Sequence, residues 1–242
     1  MQVNVAPSRL PGAAAVRDCP LGSADSIEAA FHAFIEAARF PCLGAKASHA
    51  RDELHLLRAG DLTQADDDDA ITRQLQSLAE PAASPSFISV AVLFPASPTL
   101  DEAAFERALW DRLAAIHAID RRRYGWDRRV SDDPASPRFS MSVGGKAFYV
   151  VGLHPAASRP ARRFRCPVLV FNLHSQFEQL RADGRYDKLR QAIVQRDVAY
   201  AGSPNPMLAV HGRSSEARQY SGRRVGPDWV CPFAPGGDGD RP

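Results

Sequence analysis

Several segments of the chain place apolar residues at helical spacing. The pattern predicts helices over residues 25–38, 71–78, 99–119 and 186–199. Three Ser, Thr or Asp residues also precede a Glu by three positions, which is the spacing of a capping box at a helix start. These pairs are Asp25 with Glu28, Thr99 with Glu102, and Ser175 with Glu178. The third pair predicts one more helix, beginning at Ser175.

Runs of apolar and β-branched residues predict strands between these helices. Residues 87–94 are almost continuously apolar, which is typical of a buried strand. Two further runs, 139–143 and 146–153, flank Gly144-Gly145, a recognised two-residue hairpin signal. Residues 168–171 form another apolar run, and a strand there would turn directly into the helix at Asn172-Leu173-His174. Residues from 51 to the helix near 71 are expected to form an exposed loop.

Together these elements predict a single α+β domain over residues 23–235. Its sheet is expected to be mixed, mostly antiparallel, with about four or more strands and flanking helices. Residues 1–22 are rich in Pro, Ala and Gly and carry no periodic apolar pattern. We expect flexible tails at residues 1–22 and 236–242.

Composition excludes several classes of protein. The chain has 242 residues, of which 45% are hydrophobic and 24% are charged, and its net charge is +2. These values are ordinary for a globular protein, and so small a net charge predicts nothing about binding partners. The longest uncharged stretch, residues 81–100, contains four prolines and is a poor membrane span. The first residues lack the pattern of a secretory signal, so a cytoplasmic protein is expected.

Cysteine spacing and the common catalytic motifs are uninformative. The four cysteines lie far apart without a CxxC pair, which argues against a zinc ribbon and favours reduced thiols. The sequence contains no Gly-rich phosphate loop, HExxH or GxSxG motif. Residues 121–129 hold five arginines around two aromatic residues, the composition of a nucleic-acid patch. A solvated basic loop is the commoner interpretation, so a nucleic-acid partner is unlikely.

Two histidines follow predicted strands. His154 ends the run 146–153 and His174 follows the run 168–171. Strand ends are where open α/β sheets build their sites, so structural and functional interpretations of this pair are evenly balanced. Arg159, Arg162 and Arg163 follow His154, and their guanidinium groups suit carboxylate or phosphate.

A second polar cluster lies near the end of the chain. Residues 202–208 and 215–223 are dense in polar groups and poor in residues that build a core. Their charged and phenolic side chains could bind a charged small molecule or form a structural network, and the pattern does not decide between the two. The candidates are Glu216, Arg218, Tyr220 and Arg223.

Several segments together resemble the YqcI/YcgG family. They are Phe40-Pro41-Cys42-Leu43-Gly44-Ala45-Lys46, Val151-Gly152-Leu153-His154-Pro155, Ala161-Arg162-Arg163-Phe164, Phe171-Asn172-Leu173-His174, and Ser215 to Arg223 ahead of Cys231-Pro232-Phe233. That family includes haem-dependent enzymes that N-hydroxylate guanidino compounds in the D-cycloserine and guanitoxin routes. The chain departs from the family pattern at Ala157, at Ser175 and over residues 209–211, so its substrate contacts are expected to differ.

The resemblance implies a haem b whose iron is held by one of these histidines, first His154 and second His174. The other histidine would then face the distal side of the iron, and His174 is a catalytic candidate for that reason. Haem propionates would be bound by Arg159, Arg162 and Arg163. A thiolate ligand from Cys42 or Cys231 stays open as an alternative.

A guanidinium substrate favours a carboxylate partner, for which Glu178 and Glu216 are the candidates, as catalytic and as substrate-binding residues. Arg218 and Tyr220 are further candidates for substrate binding. The resemblance thus implies a haem-dependent monooxygenase acting on an arginine-like small molecule, with dioxygen and an electron donor, or with peroxide. The alternative is a haem-binding sensor or carrier without oxygenase activity.

Overall fold

A computed structural model of the chain describes residues 24–79, 88–208 and 213–235. The predicted tails, residues 1–22 and 236–242, and the start of the predicted strand at Phe87 lie outside these ranges. The helices are α1 (Ala24–Glu36), α2 (Leu43–His49), α3 (Asp68–Ala79), α4 (Glu102–Asp120), α5 (His174–Ala182), α6 (Tyr186–Ala201) and α7 (Ala217–Tyr220). The strands are β1 (Leu54–Arg58), β2 (Ser89–Leu93), β3 (Met141–Val143), β4 (Lys146–Leu153) and β5 (Val168–Leu173).

The five strands form one mixed sheet in the order β1-β2-β5-β4-β3. Only β1 and β2 pair in parallel, and every other neighbouring pair is antiparallel. The prediction of a single α+β domain with a mixed, mostly antiparallel sheet is confirmed. The hairpin at Gly144-Gly145 is confirmed as well, because both glycines have the positive φ that a two-residue hairpin turn of type I′ requires, +61° and +68°.

The sheet buries a different cluster on each face, because side chains alternate along every strand. On the first face, Val92, Phe148 and Phe171 pack with residues of α3 and α4. On the second face, Ala91, Leu153 and Val168 pack with Phe31 and Ile35 of α1 and with Phe164. The second face is covered unevenly, which matters for the site described below.

Two elements differ from the sequence prediction. Residues 54–58 form β1, where a loop was expected, and residues 43–49 form the short helix α2. β1 is an edge strand that pairs only with β2, and its exposed His55 and Arg58 interrupt the apolar signal.

Two predicted capping boxes are wrong. Asp101, not Thr99, caps α4, because its carboxylate accepts from the backbone N–H of Ala104 at 2.7 Å. α5 begins at His174 without a side-chain cap, so Ser175 lies inside the helix. The start of α1 at Ala24 fits the predicted first helix.

A search of the described residues for membrane-spanning segments finds no helix with the length and apolar character needed to cross a bilayer.

Gly152 provides a test of the packing between the sheet and α4. A Cβ at this position would lie 2.7 Å and 2.8 Å from ring atoms of Phe105 and 2.9 Å from Leu109. We expect Gly152→Ala to lower the free energy of unfolding by about 1–3 kcal/mol, because the buried core has no room for the methyl group. Urea denaturation measures the change.

Gly125→Ala is the matched control, since no atom lies within 4 Å of its added Cβ. We expect this variant to be unchanged or slightly more stable. Equal stability of the two variants would contradict the packing described here.

Candidate functional site

Within the described residues, part of the second sheet face is less deeply buried than the rest. Tyr149 and Val151 on β4, and Val170 and Asn172 on β5, are only half-buried although both strands lie inside the sheet. The fully buried cluster on this face lies instead beneath α1 and Phe164. We call the space above these four side chains the sheet cleft.

Helix α6 lies beside the sheet cleft and is held by two arginines. Arg196 donates to the backbone carbonyls of Ala38 at 2.6 Å and Phe40 at 3.0 Å, just after α1. Arg159 forms an ion pair of 2.5 Å with Asp197 of α6. No residue of α6 is fully buried. The two arginines therefore tie α6 to the segment after α1 and to the segment after β4.

The three arginines predicted to bind haem propionates all bind the protein itself. Arg159 pairs with Asp197, and Arg163 donates to the carbonyls of Ala157 and Ser158. Arg162 donates to three carbonyls, those of Gly152 at 2.9 Å and of Gln219 and Tyr220 at 3.0 Å each. The three guanidinium groups thus hold the chain together and do not form one anion clamp.

Arg162 links β4 to the short helix α7, and α7 positions Glu216. The carboxyl oxygen Oε1 of Glu216 lies 2.6 Å from Ser140 Oγ and 2.6 Å from the Tyr220 hydroxyl. Both hydroxyls also lie within hydrogen-bond distance of the Phe148 carbonyl of β4, at 3.1 Å and 3.2 Å. Burial raises the pKa of Glu216 to about 7, and the two hydroxyl donors only partly oppose that shift.

This arrangement can hold a proton in two ways. Each hydroxyl has one hydrogen and two acceptors within reach, Glu216 Oε1 and the Phe148 carbonyl. An ionised Glu216 attracts both hydrogens, whereas a protonated Glu216 leaves them free to turn to the carbonyl. The backbone N–H of Met141 donates to the Tyr220 hydroxyl at 3.1 Å and keeps it in place. Glu216 can therefore gain or lose a proton near neutral pH without movement of the backbone.

Contacts through Tyr149 connect Glu216 to the sheet cleft. The Tyr149 hydroxyl donates to Gln219 of α7 at 3.2 Å, and its ring lies edge-on to Tyr220 at 5.7 Å. The charge of Glu216 contributes to the raised pKa of Tyr149, although burial is the larger cause. Phe177 of α5 also packs against Tyr149, with the two ring centroids 6.1 Å apart. Glu216 is thus linked to Tyr149 of the sheet cleft through Tyr220, whose hydroxyl donates to it.

The two predicted iron-binding histidines lie far apart. β4 and β5 are antiparallel, with Leu153 opposite Val168 and Phe148 opposite Leu173. His154 and His174 therefore follow opposite ends of the paired strands, roughly 20 Å apart. The expectation that one binds the iron and the other faces its distal side is wrong, because a single iron cannot be near both.

His154 lies in the core of the first face. Its ring is stacked on Phe105 with centroids 4.3 Å apart, and the residue is only 1% exposed. Burial lowers its pKa, so the imidazole is neutral. Stacking on Phe105 covers a face of the ring, whereas a histidine binds iron through a nitrogen at the ring edge. Nδ1 of His154 is buried without a hydrogen-bond partner among the described residues, and the role of His154 as haem ligand stays a prediction.

His174 is the first residue of α5 and lies 3.5 Å from Glu178 through Nδ1. The Glu178 side chain is 41% exposed and also lies 3.5 Å from Arg129. Arg129 is bound to Asp127 at 2.6 Å, so this arginine of the basic segment 121–129 is neutralised locally. His174 and Glu178 share the end of the sheet with Tyr149 and Asn172.

Tyr220 and Arg218 have structural roles here. Tyr220 is 0% exposed and stacks on Trp110, so the prediction that it contacts substrate is wrong and it positions Glu216 instead. Arg218 bonds to the carbonyls of Gly226 and Trp229 and lies over the Trp229 ring. Its guanidinium holds the C-terminal segment of the described chain.

Cys42 and Cys231, the two alternative thiolate ligands, lie on different faces of the sheet. Cys231 packs against the core of the first face, and burial raises its pKa to about 12. Cys42 precedes α2 and packs on the second face, where its Sγ accepts from the N–H of Ala45 at 3.4 Å. Burial raises the pKa of Cys42, and the backbone N–H groups of Ala45 and Gly44 and the charge of Arg162 only partly oppose that shift. Of the two thiols, Cys42 is the one beside the sheet cleft.

Ser140 and Tyr149 are site residues that the sequence analysis did not single out. Tyr149 could have been found from the alternation along β4, because it falls on the same face as Val151 between the core residues Phe148 and Val150. Ser140 has no such signal, since it meets Glu216 across 76 residues of chain. No cluster of three or more His, Cys, Asp or Glu residues able to hold a metal ion occurs within residues 24–79, 88–208 and 213–235.

The raised pKa of Glu216 makes stability depend on pH. The ordinary pKa of this carboxyl is 4.5, and in the folded chain the pKa is about 7. The folded chain therefore loses stability as pH rises between these values, because the unfolded chain ionises first. Glu216→Gln removes the ionisation, and we expect its stability relative to wild type to increase by about 2 kcal/mol from pH 5 to pH 8. Urea denaturation of both proteins at pH 5 and pH 8 measures this change in relative stability.

Glu178→Gln is the control, because this exposed carboxylate is solvated in both the folded and the unfolded chain. Its stability difference from wild type should vary little over the same range. If Glu216→Gln behaves like Glu178→Gln, Glu216 is not buried as described.

Comparison with known proteins identifies one family. The sequence model of the YqcI/YcgG family matches residues 31–234, which is most of the chain. No match is found among curated proteins or among solved structures. The matched range includes all five strands and the candidate residues His154, His174, Cys42 and Glu216. The chain therefore belongs to the YqcI/YcgG family.

Proposed function

We propose that the chain is a haem-dependent monooxygenase that N-hydroxylates a small guanidino compound in the sheet cleft. The observation that carries the proposal is the Glu216 carboxyl, which is half-buried and held through one oxygen by Ser140 and by Tyr220, the neighbour of Tyr149 in the cleft. Its other oxygen is not used by these two donors. A guanidinium group presents parallel N–H donors to such a carboxylate, which gives both charge and geometry.

Aromatic side chains near Glu216 suit the same ligand. Tyr149 and Phe177 pack edge to face beside the cleft, and the face of an aromatic ring attracts a flat cation. Gln219 and Asn172 add amide groups that orient polar atoms. Asn172 is itself fixed by Ser89, whose hydroxyl donates to Asn172 Oδ1 at 2.7 Å. These residues bind and orient the ligand.

Membership of the family supports the haem part of the proposal, through the activities known for other members. When bound, the haem would supply oxidising chemistry, with dioxygen and an electron donor, or peroxide, as oxidant. Of the predicted ligands, Cys42 best fits a haem in the cleft, because it lies on the second face and its Sγ accepts from a backbone N–H. His174 is the second candidate, and His154, whose ring stacks on Phe105, is the third. The protein groups assigned above would orient the substrate and move a proton at Glu216.

Binding of the guanidino group is expected to depend on pH. A cation needs the ionised form of Glu216, whose pKa is about 7. We expect the affinity for L-arginine to rise about tenfold from pH 6 to pH 8, with release of a proton on binding at pH 6. Isothermal titration calorimetry in two buffers of different ionisation enthalpy measures both.

L-Citrulline is the matched control ligand for L-arginine, because its ureido group has nearly the shape of the guanidino group but is uncharged. We expect it to bind more weakly at pH 8 and without this pH dependence. Glu216→Gln should remove the advantage of arginine over citrulline. Equal binding of arginine by wild type and Glu216→Gln would contradict the assignment of the cation to Glu216.

The haem part is tested by spectra of the protein expressed with a haem precursor, in ferric, ferrous and ferrous–CO forms. We expect a thiolate-type CO band in wild type and in Cys231→Ser, and its loss in Cys42→Ser. A histidine-type CO band that changes in His174→Ala would instead identify His174 as the iron ligand. A chain that takes up no haem on titration would contradict the proposed cofactor.

Turnover separates an enzyme from a haem-binding sensor or carrier. The proposal expects an N-hydroxy product from arginine with dioxygen and reductant, or with peroxide. A chain that binds haem and arginine but forms no product with either oxidant would be a binding protein.

A further inference from the structure

Two histidines on neighbouring helices lie side by side and take part in none of the contacts described above. His32 belongs to α1 and His49 is the last residue of α2, and their Nδ1 atoms are 3.1 Å apart. Both residues are half-buried, so an ion from solvent can reach them.

Glu36 determines which nitrogen of His49 carries a hydrogen. It follows His32 by four residues, on the same face of α1, and its Oε1 lies 2.7 Å from Nε2 of His49. The hydrogen bond with His49 lowers the pKa of Glu36, so this carboxylate is ionised at neutral pH and can only accept. Nε2 of His49 therefore donates to Glu36, which leaves Nδ1 of the neutral imidazole as a bare acceptor beside His32.

The two rings are arranged as a pair of metal ligands would be. Imidazoles that bind one ion at about 2.0–2.1 Å have their nitrogens roughly 2.9–3.4 Å apart, from octahedral to tetrahedral geometry, and the observed separation is 3.1 Å. At that separation, rings pointing straight at one another would have centroids about 5.4 Å apart, whereas rings converging on a shared ion would have centroids about 4.8 Å apart. The observed distance between the centroids is 4.8 Å, which matches the second arrangement.

Contacts outside the rings hold this geometry in place. Lys46 of α2 donates to the carbonyls of Glu36 and Ala37 at 2.9 Å each, so the end of α1 is joined to α2 independently of the histidines. Glu36 orients the His49 ring, and a carboxylate on the second nitrogen is the usual partner of a histidine that binds metal. The two nitrogens thus need little rearrangement to bind an ion.

We infer that His32 and His49 form a binding site for a divalent transition-metal ion, with Glu36 as the residue that orients His49. Imidazole ligands suit zinc, copper and nickel. Water occupies the remaining coordination positions, because the described residues provide no third His, Cys, Asp or Glu to complete the set. The bound ion joins α1 to α2, and the inference does not depend on the function proposed for the sheet cleft.

Zinc tests the inference in the full chain after treatment with a chelator. We expect zinc at a hundredfold excess over its dissociation constant to raise the midpoint of thermal unfolding by about 5–10 °C, because it binds the folded chain. His32→Gln and His49→Gln should each lose this shift. Glu36→Gln keeps both ligands and should bind zinc about tenfold more weakly, since only the orienting carboxylate is removed. Calorimetric titration with zinc chloride measures the affinities.

His55→Gln is the matched control, because it removes an exposed histidine of β1. It should bind zinc as wild type does, which separates the pair from a general loss of histidine. Circular dichroism in the presence of chelator confirms that each variant is folded.

Nitrogen NMR of the histidine rings identifies the ligands directly. We expect zinc to shift the Nδ1 resonances of both His32 and His49 in wild type, and the resonances of His55 to stay in place. Zinc that binds His49→Gln as tightly as wild type, or a wild type without any thermal shift at millimolar zinc, would overturn the inference. In that case the contact between the two rings is only a hydrogen bond.

Discussion

The open edge of β4 is the constraint on which the rest of the site depends. β3 pairs only with residues 146–148 of β4, so residues 149–153 have no partner strand on that side. Side chains bind carbonyls where the pairing ends and beyond it: Ser140 and Tyr220 donate to the Phe148 carbonyl of the last pair, and Arg162 donates to that of Gly152. A buried carbonyl without a donor costs free energy, so these contacts are as necessary as a strand would be.

The way in which the edge is closed determines where Glu216 lies. Arg162 also binds two carbonyls of α7, and Tyr220 is the last residue of that helix. α7 is therefore held against β4, and Glu216, which immediately precedes it, is placed beside Ser140 and Tyr220. Because Ser140 and Tyr220 serve both the Phe148 carbonyl and Glu216, the stability of this edge and the proton affinity of the carboxyl are linked.

The elements could be predicted from the sequence where a long periodic pattern reports burial directly, as in α4 and the β3–β4 hairpin. β1 could not, since its five residues are an edge strand with two exposed side chains. The opposite placement of His154 and His174 follows from the antiparallel pairing of β4 and β5, and strand direction leaves no mark in the apolar pattern of either strand. Glu216 was a candidate by residue type, but its depth depends on Ser140 and Phe148, which are distant in the chain.

The arginines show why residue type alone gave an incomplete site. Arg159, Arg162 and Arg163 form the denser cluster in the sequence, yet each is bound to carbonyls or to Asp197. An arginine in contact with backbone carbonyls replaces missing secondary structure, and a sequence cannot distinguish that role from anion binding. The partners of its donors, more than the local density of positive charge, therefore decide which role an arginine has in this fold.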